Sequence, residues 1–243
     1  MCKGHLCEVF ASIQGEGVYC GQRQTFVRLW GCNLSCDYCD TSRAKIDRPA
    51  FAKAEIRPGE DQFDELTNPI DVDTTLAICR KLGSETVALT GGEPLVQADF
   101  LIALMPALQQ AGFITYLETN GSLPGELSRI IEHTNIIAMD IKLPSASGIS
   151  NLWGTHTKFL EIAHGSNAEI FIKTVISPGT PDEEMLRCAR IIAGIDRSIP
   201  LVIQPVSGAE FNASTLLRMQ KIAAESLADV RVIPQCHKLL QIP

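Results

Sequence analysis

Short apolar runs alternate with amphipathic stretches along most of the 243 residues, and this rhythm restricts the fold more than any other feature. The apolar runs predict strands at 7–13, 25–30, 86–90, 114–118, 136–140, 169–175, 201–204 and 230–233. The amphipathic stretches predict helices at 73–82, 98–110, 124–133, 155–164, 181–193 and 213–226. Several of the runs are apolar throughout, as in strands covered on both faces. Strand and helix in alternation imply right-handed crossovers and a parallel sheet. The expected class is therefore α/β, an incomplete (β/α) barrel of about six units in one domain spanning 1–243. The stretch 43–69 breaks the rhythm. It is polar and carries Pro49, Pro58 and Pro69, so it reads as an inserted, partly mobile loop.

In a parallel sheet of this kind, ligands bind beyond the carboxyl ends of the strands. The polar segments there are 31–41, 90–94, 118–121, 140–142, 173–174 and 204–207. In a barrel or half-barrel they converge on one face.

Composition narrows the ligand. The formal net charge of −7 argues against nucleic acid, which needs a basic surface, and against an anionic membrane. No apolar run is long enough to span a bilayer, and the N-terminus lacks the apolar core of a secretory signal. The expectation is a cytoplasmic enzyme acting on a small molecule. Nine cysteines in such a chain do not suggest a disulfide framework. Cys79 and Cys188 read as small buried apolar residues.

Three cysteines crowd together. Cys32, Cys36 and Cys39 follow the spacing C-x3-C-x2-C, and Gly31 allows a tight turn before the first. Three thiolates in one loop can wrap a metal centre. Zinc would need a fourth ligand, from His5, Cys7, Cys20 or elsewhere. An iron–sulfur cube held by three thiolates would leave one iron open to a ligand. The cysteines alone leave both readings standing. Downstream, Thr90-Gly91-Gly92-Glu93-Pro94 follows a predicted strand. Its glycines let backbone approach a ligand closely, and Glu93 could accept from a ligand ammonium; the plain alternative is a turn.

Together these motifs resemble the radical S-adenosylmethionine (SAM) superfamily, in which an aromatic residue, here Tyr38, precedes the last cysteine. The resemblance implies a [4Fe–4S] cluster on Cys32, Cys36 and Cys39. Its open iron chelates SAM, and reductive cleavage releases a 5′-deoxyadenosyl radical. Tyr38 would contact adenine through its backbone.

Ser12-Ile13-Gln14-Gly15-Glu16-Gly17 narrows the resemblance to the 7-carboxy-7-deazaguanine synthase family. Read as residues, Gln14 and Glu16 place an amide beside a carboxylate, which suits the edge of a polar heterocycle; a solvated turn is the bland alternative. The family carries a threonine after the last cysteine as a Mg²⁺ ligand, matched by Thr41, which otherwise reads as a cap. Its tail motif is matched by Gln235-Cys236-His237-Lys238, with Cys236 in place of the usual threonine.

The resemblance implies a lyase that contracts 6-carboxy-5,6,7,8-tetrahydropterin to 7-carboxy-7-deazaguanine and ammonia, in queuosine and related 7-deazapurine biosynthesis. Ile13, Gln14, Gly15, Glu16, Arg28, Thr90, His237 and the Pro243 carboxylate would hold the pterin. Tyr38, Gly92, Glu93, Asp140, Lys142, Ser145, Gln204, Pro205, Val206 and Ser207 would surround SAM. A flavodoxin or ferredoxin reductant and a homodimer come with the resemblance. Two rivals stay open on the sequence: an activase that places a glycyl radical on a partner protein, and a metal-binding module without catalysis.

Overall fold

In the computed structural model, which describes residues 2–39 and 47–243, one ten-stranded sheet runs through the chain. Near the N-terminus, β1 (Lys3–Gly4) pairs with a short β6 (Ile70–Asp71) outside that sheet. The first two strands of the main sheet are β2 (Leu6–Ile13) and β3 (Arg23–Leu29), an antiparallel pair. β7 (Thr86–Gly91) lies parallel to β3. Then β8 (Ile114–Thr119), β9 (Ile136–Asp140), β10 (Glu169–Ile176), β11 (Leu201–Pro205) and β12 (Val230–Val232) add in sequence order, each parallel to the last.

The crossover helices are α1 (Val72–Leu82), α2 (Ala98–Gln110), α3 (Pro124–Ile130), α4 (Pro144–Ser147) with α5 (Trp153–His164), α6 (Asp182–Ile195) and α7 (Ala213–Ala224). A final short helix, α8, covers Cys236–Leu240. Consecutive neighbours wound in one direction make an incomplete barrel, as the alternation predicts. Strand ends fall within a residue or two of expectation. α1 shows why the boundaries were readable: Asp71 caps it by accepting the Thr74 amide at 2.8 Å, and Gly83 ends it at φ 70°.

The stretch read as an inserted loop is a correction. β4 (Phe51–Glu55) and β5 (Phe63–Thr67) form an antiparallel hairpin, and β4 joins the sheet edge parallel to β2. The prolines misled because they bound the strands instead of interrupting them. Pro49 precedes β4, Pro58 lies in the turn and Pro69 follows β5. Within β4, Ala52 and Ala54 turn inward while Phe51 and Lys53 face out. Residues 43–46 lie outside the described residues.

The two faces of the sheet are buried by different things. Val27, Leu29, Leu89, Leu117, Met139 and Ile203 point outward into the helix layer and form the main core with Leu101, Leu104 and Phe159. The alternate positions Phe26, Ala88, Tyr116, Ala138, Phe171 and Val202 form a smaller apolar layer on the inner face. Two residues further along each of those strands stand Arg28, Thr90, Glu118, Asp140, Lys173 and Gln204. The period of two thus sets a polar layer directly above an apolar floor. Cys79 and Cys188 are fully buried in the helix layer, as expected of small apolar residues.

Candidate functional site: a cavity between the cysteine loop and the polar layer

The polar layer opens into a cavity of about 630 Å³. Cys32, Cys36 and Cys39 line one side of it. Ile13, Gln14, Gly15 and Glu16, Arg28, Thr90, His237 and Pro243 line another. Tyr38, Gly92, Asp140, Lys142, Gln204, Val206 and Ser207 complete the expected set on its walls. The strand ends therefore converge.

Three expected residues do not reach the walls. Glu93 is fully buried behind them: its carboxylate accepts from Thr119 Oγ1 at 2.8 Å, Asn120 N at 2.7 Å and Leu95 N at 3.2 Å. With three internal donors, this side chain ties the ends of β7 and β8 together instead of facing a ligand. Burial pushes its carboxyl up to about 7 against the pull of these donors. Ser145 is turned to the surface, where its hydroxyl bonds Glu184 at 2.7 Å. Pro205 is absent from the cavity walls, while its neighbours Gln204 and Val206 are present. Thr41 lies outside the described residues.

The donor set fits an iron–sulfur cluster. All three cysteines are half-buried and open to one cavity. The Leu34 amide donates to Cys32 Sγ at 3.5 Å, and Asn120 Nδ2 approaches the same sulfur at 4.0 Å; N–H groups aimed at sulfur suit a thiolate ligand. Glycine is required where the loops meet. A Cβ on Gly92 would stand 2.1 Å from the Gly31 carbonyl and 2.9 Å from Cys32 Cβ. Among the described residues, no group of three or more His, Cys, Asp or Glu side chains is drawn close enough to hold a single metal ion.

The walls beside the cysteines fit SAM. Asp140 Oδ1 and Gln204 Oε1 are buried with no hydrogen-bond partner among the described residues, and both belong to the cavity walls. Unpaired buried acceptors call for a ligand that donates. Lys142 Nζ bonds Asp140 Oδ2 at 2.8 Å and lies 5.1 Å from the Tyr38 ring centre. Burial would release its proton, but the Asp140 carboxylate holds the ammonium well above its ordinary value.

The opposite wall is a hydrogen-bonded unit. Glu16 accepts from Gln235 Nε2 at 2.6 Å and pairs with Lys173. Burial raises the Glu16 carboxyl, but Lys173 and Gln235 outweigh it and hold the group at about 2. Gln14 donates to Gln24 and Glu118 and accepts the Glu16 amide, which fixes the loop. Arg28 Nε bonds Glu8 at 2.6 Å, and its guanidinium lies 5.5 Å from the Phe10 ring centre. Ser12 Oγ donates to Pro243 O at 3.0 Å and seats the tail against β2. Cys236, where the family pattern has threonine, still donates its amide to Gly15 O at 2.8 Å, so His237 keeps its place on the wall.

Sequence reasoning placed 118–121 and 173–174 at the ligand edge but assigned Glu118 and Lys173 no role of their own. Both are inner-face positions near strand ends, two residues after Tyr116 and Phe171, and that spacing was the available signal.

Comparison with known proteins bears on this arrangement. Residues 30–192 match the family model described as the Radical SAM superfamily. A 7-carboxy-7-deazaguanine synthase of Geobacter sulfurreducens is 42% identical over 97% of this chain and 96% of its own length. One of Methanopyrus kandleri is 36% identical over 97% and 93%.

The chain belongs to the radical SAM superfamily and, within it, to the 7-carboxy-7-deazaguanine synthase family.

QueE from Escherichia coli has the same fold, with a TM-score of 0.62 at 19% identity over 98% of this chain and 96% of that one. The synthase relatives cover nearly the whole chain, beyond the 30–192 stretch of the superfamily model. An activase would share the cysteine loop and often the Gly-Gly-Glu-Pro turn, without need of the Gln14–Glu16 loop or the His237–Lys238 tail, and a bare metal module would leave the strand-end residues without a role. Membership brings a [4Fe–4S] cluster and SAM as cofactors and lyase chemistry in 7-deazapurine biosynthesis. Among the described residues, no helix is long and apolar enough to cross a membrane.

Proposed function

We propose that this chain converts 6-carboxy-5,6,7,8-tetrahydropterin to 7-carboxy-7-deazaguanine with release of ammonia. The observation that carries the reading is convergence: Arg28, Glu16, Thr90 and His237 share one cavity with Cys32, Cys36 and Cys39. Cys32, Cys36 and Cys39 would hold the cluster, which together with SAM would supply the radical chemistry of the reaction. The remaining work falls to the chain. Arg28 pairs the substrate carboxylate, since guanidinium favours two-point contact and Glu8 fixes its orientation. The ionised Glu16 accepts neighbouring N–H groups of the pterin, and Thr90 and His237 hold its other edges. Thr90 Oγ1 donates to Glu118 at 2.6 Å, so toward the pterin this hydroxyl acts as an acceptor. Phe26, Tyr116, Ala138 and Phe171 form an apolar floor that keeps water from the reacting face.

On the cofactor side, Asp140, Lys142, Gln204, Val206 and Ser207 supply polar contacts for SAM, and Thr41 is the proposed Mg²⁺ ligand. A flavodoxin or ferredoxin reductant, a cytoplasmic location and a homodimer complete the reading, supported by the family resemblance. The test is anaerobic incubation of reconstituted protein with SAM, dithionite, Mg²⁺ and the pterin. The expected result is deazapurine absorbance with the product mass. Reductive SAM cleavage without that product overturns the substrate assignment.

A further inference from the structure

Lys173 stands at the centre of a charge chain that crosses the cavity wall. It pairs with Glu16 Oε2 and lies 3.5 Å from Asp140 Oδ2, which in turn bonds Lys142 at 2.8 Å. The chain links the loop assigned to the pterin with the wall assigned to SAM. The Lys173 and Glu16 side chains are 19% and 18% exposed, so the pair faces the cavity and not bulk water.

We propose that Lys173 is a positioning residue for substrate binding: it fixes the Glu16 carboxylate as the acceptor for the N–H edge of the pterin. The inference rests on the substrate reading above and extends it to a residue outside the family's motifs.

An ionised carboxylate is acceptor-only, so both oxygens can receive N–H groups. A neutral carboxyl would turn an O–H toward the same edge and oppose it. Glu16 holds its orientation through Lys173 on Oε2 and through Gln235 at 2.6 Å and Gln204 at 3.3 Å on Oε1. The two amides orient the group and bring no charge. The other titratable groups around it are Asp140 on β9 with Lys142 beyond it, Glu118 and Tyr116 on β8, Cys20 in the β2–β3 turn, and Cys236, His237 and Lys238 on α8. Lys173 alone among the cations pairs directly with Glu16 among the described residues. Without it, burial acts on the carboxyl opposed only by the Gln235 bond and the weaker pull of His237.

The test uses the reconstituted holoenzyme under anaerobic conditions, with Lys173→Met to keep the length and Lys173→Arg to restore the charge. With Lys173→Met, KM for 6-carboxytetrahydropterin rises about tenfold or more, while kcat changes much less. KM also climbs more steeply than in the wild type as pH falls from 8 to 6. Lys173→Arg recovers most of the affinity. In parallel, infrared spectra of ¹³C-glutamate-labelled protein read Glu16 directly, with Glu16→Gln as the assignment control. Lys173→Met gains a protonated-carboxyl band at pH 6 beyond that of Glu93, absent from the wild type and lost again when Glu16→Gln is added. An unchanged KM with the wild type's pH dependence, or no new band, overturns the role of Lys173. A wild type that forms no deazapurine overturns the substrate reading instead, and the infrared comparison still decides whether Lys173 controls Glu16.

Discussion

The Glu93 carboxylate accepts the backbone amide of Asn120 at 2.7 Å, and this bond joins the ends of two neighbouring strands. β7 delivers Gly91 and Gly92 to the cysteine loop, and β8 delivers Asn120 to the same loop. A motif residue expected to face the cofactor instead sets the distance between two segments that do.

Replacing Glu93 by alanine should therefore loosen both segments. Thr119, Asn120 and Leu95 would each lose an acceptor in a fully buried site. The expected loss is about 1–3 kcal/mol of stability for each donor left unsatisfied, tempered by relaxation. Glu93→Gln is not a benign substitute, because its amide would point a donor at a donor. Anaerobic urea unfolding checks the size of the loss, and equilibrium dialysis with SAM should show weakened binding at normal iron content. A variant of wild-type stability would contradict the clip.

His156 holds the other side of the same residue, donating from Nε2 to the Asn120 carbonyl at 3.1 Å. Its Nδ1 is buried without a partner among the described residues. Burial depresses the group from 6.5 to about 4. The folded state therefore stays neutral while the unfolded chain takes up a proton. The stability this gives is full above pH 6.5 and is lost as pH falls from 6.5 to about 4, to the extent of about 3 kcal/mol. His156→Gln keeps a donor but not the titration. Unfolding curves at pH 7 and pH 5 should show a steeper acid loss in the wild type than in the variant. Parallel slopes would refute the assignment.

Asn120 turns its side-chain amide toward the cysteine loop, to Asn33 Oδ1 at 3.1 Å and Cys32 Sγ at 4.0 Å. A hydrogen bond to a ligand sulfur favours the more negative, reduced cluster. Asn120→Ala should thus lower the midpoint potential of the loaded protein, with iron content unchanged. Redox titration followed by electron paramagnetic resonance measures it. An unaltered potential would show that this amide does not tune the cluster.

The sequence was legible where chemistry is local. Cys32, Cys36 and Cys39, the glycines before Glu93, and Gln14 with Glu16 lie in short segments whose spacing carries the meaning. All of them but Glu93 reach the cavity. The direction of a side chain at a strand end was not legible. Glu93 turns back into the core because Thr119 and Asn120 supply donors there, and those donors come from another strand. Lys173 and Glu118 stood in segments the sequence set at the ligand edge, but their partners were not legible there: only the shared register shows that these two face Glu16 and Gln14. The edge hairpin was missed because proline marks strand ends as readily as loops.

Gly15 offers the sharpest test of how the tail completes the site. A Cβ there would lie 2.3 Å from His237 Nδ1 and 2.6 Å from the His237 backbone nitrogen. The backbone clash cannot be relieved by rotating a side chain. The Gly15 carbonyl also accepts the Cys236 amide at 2.8 Å, so the two segments are already locked together. Gly15→Ala must push α8 outward and carry Gln235 away from Glu16 and His237 away from the cavity. Overpacking of this kind costs about 1–3 kcal/mol, small against the whole fold. The folded protein should therefore load its cluster and bind SAM normally. Its KM for the pterin should rise about tenfold or more, in keeping with the loss of a charge-assisted contact. A Gly15→Ala enzyme with wild-type KM would show that the Gly15–His237 contact does not shape the substrate site.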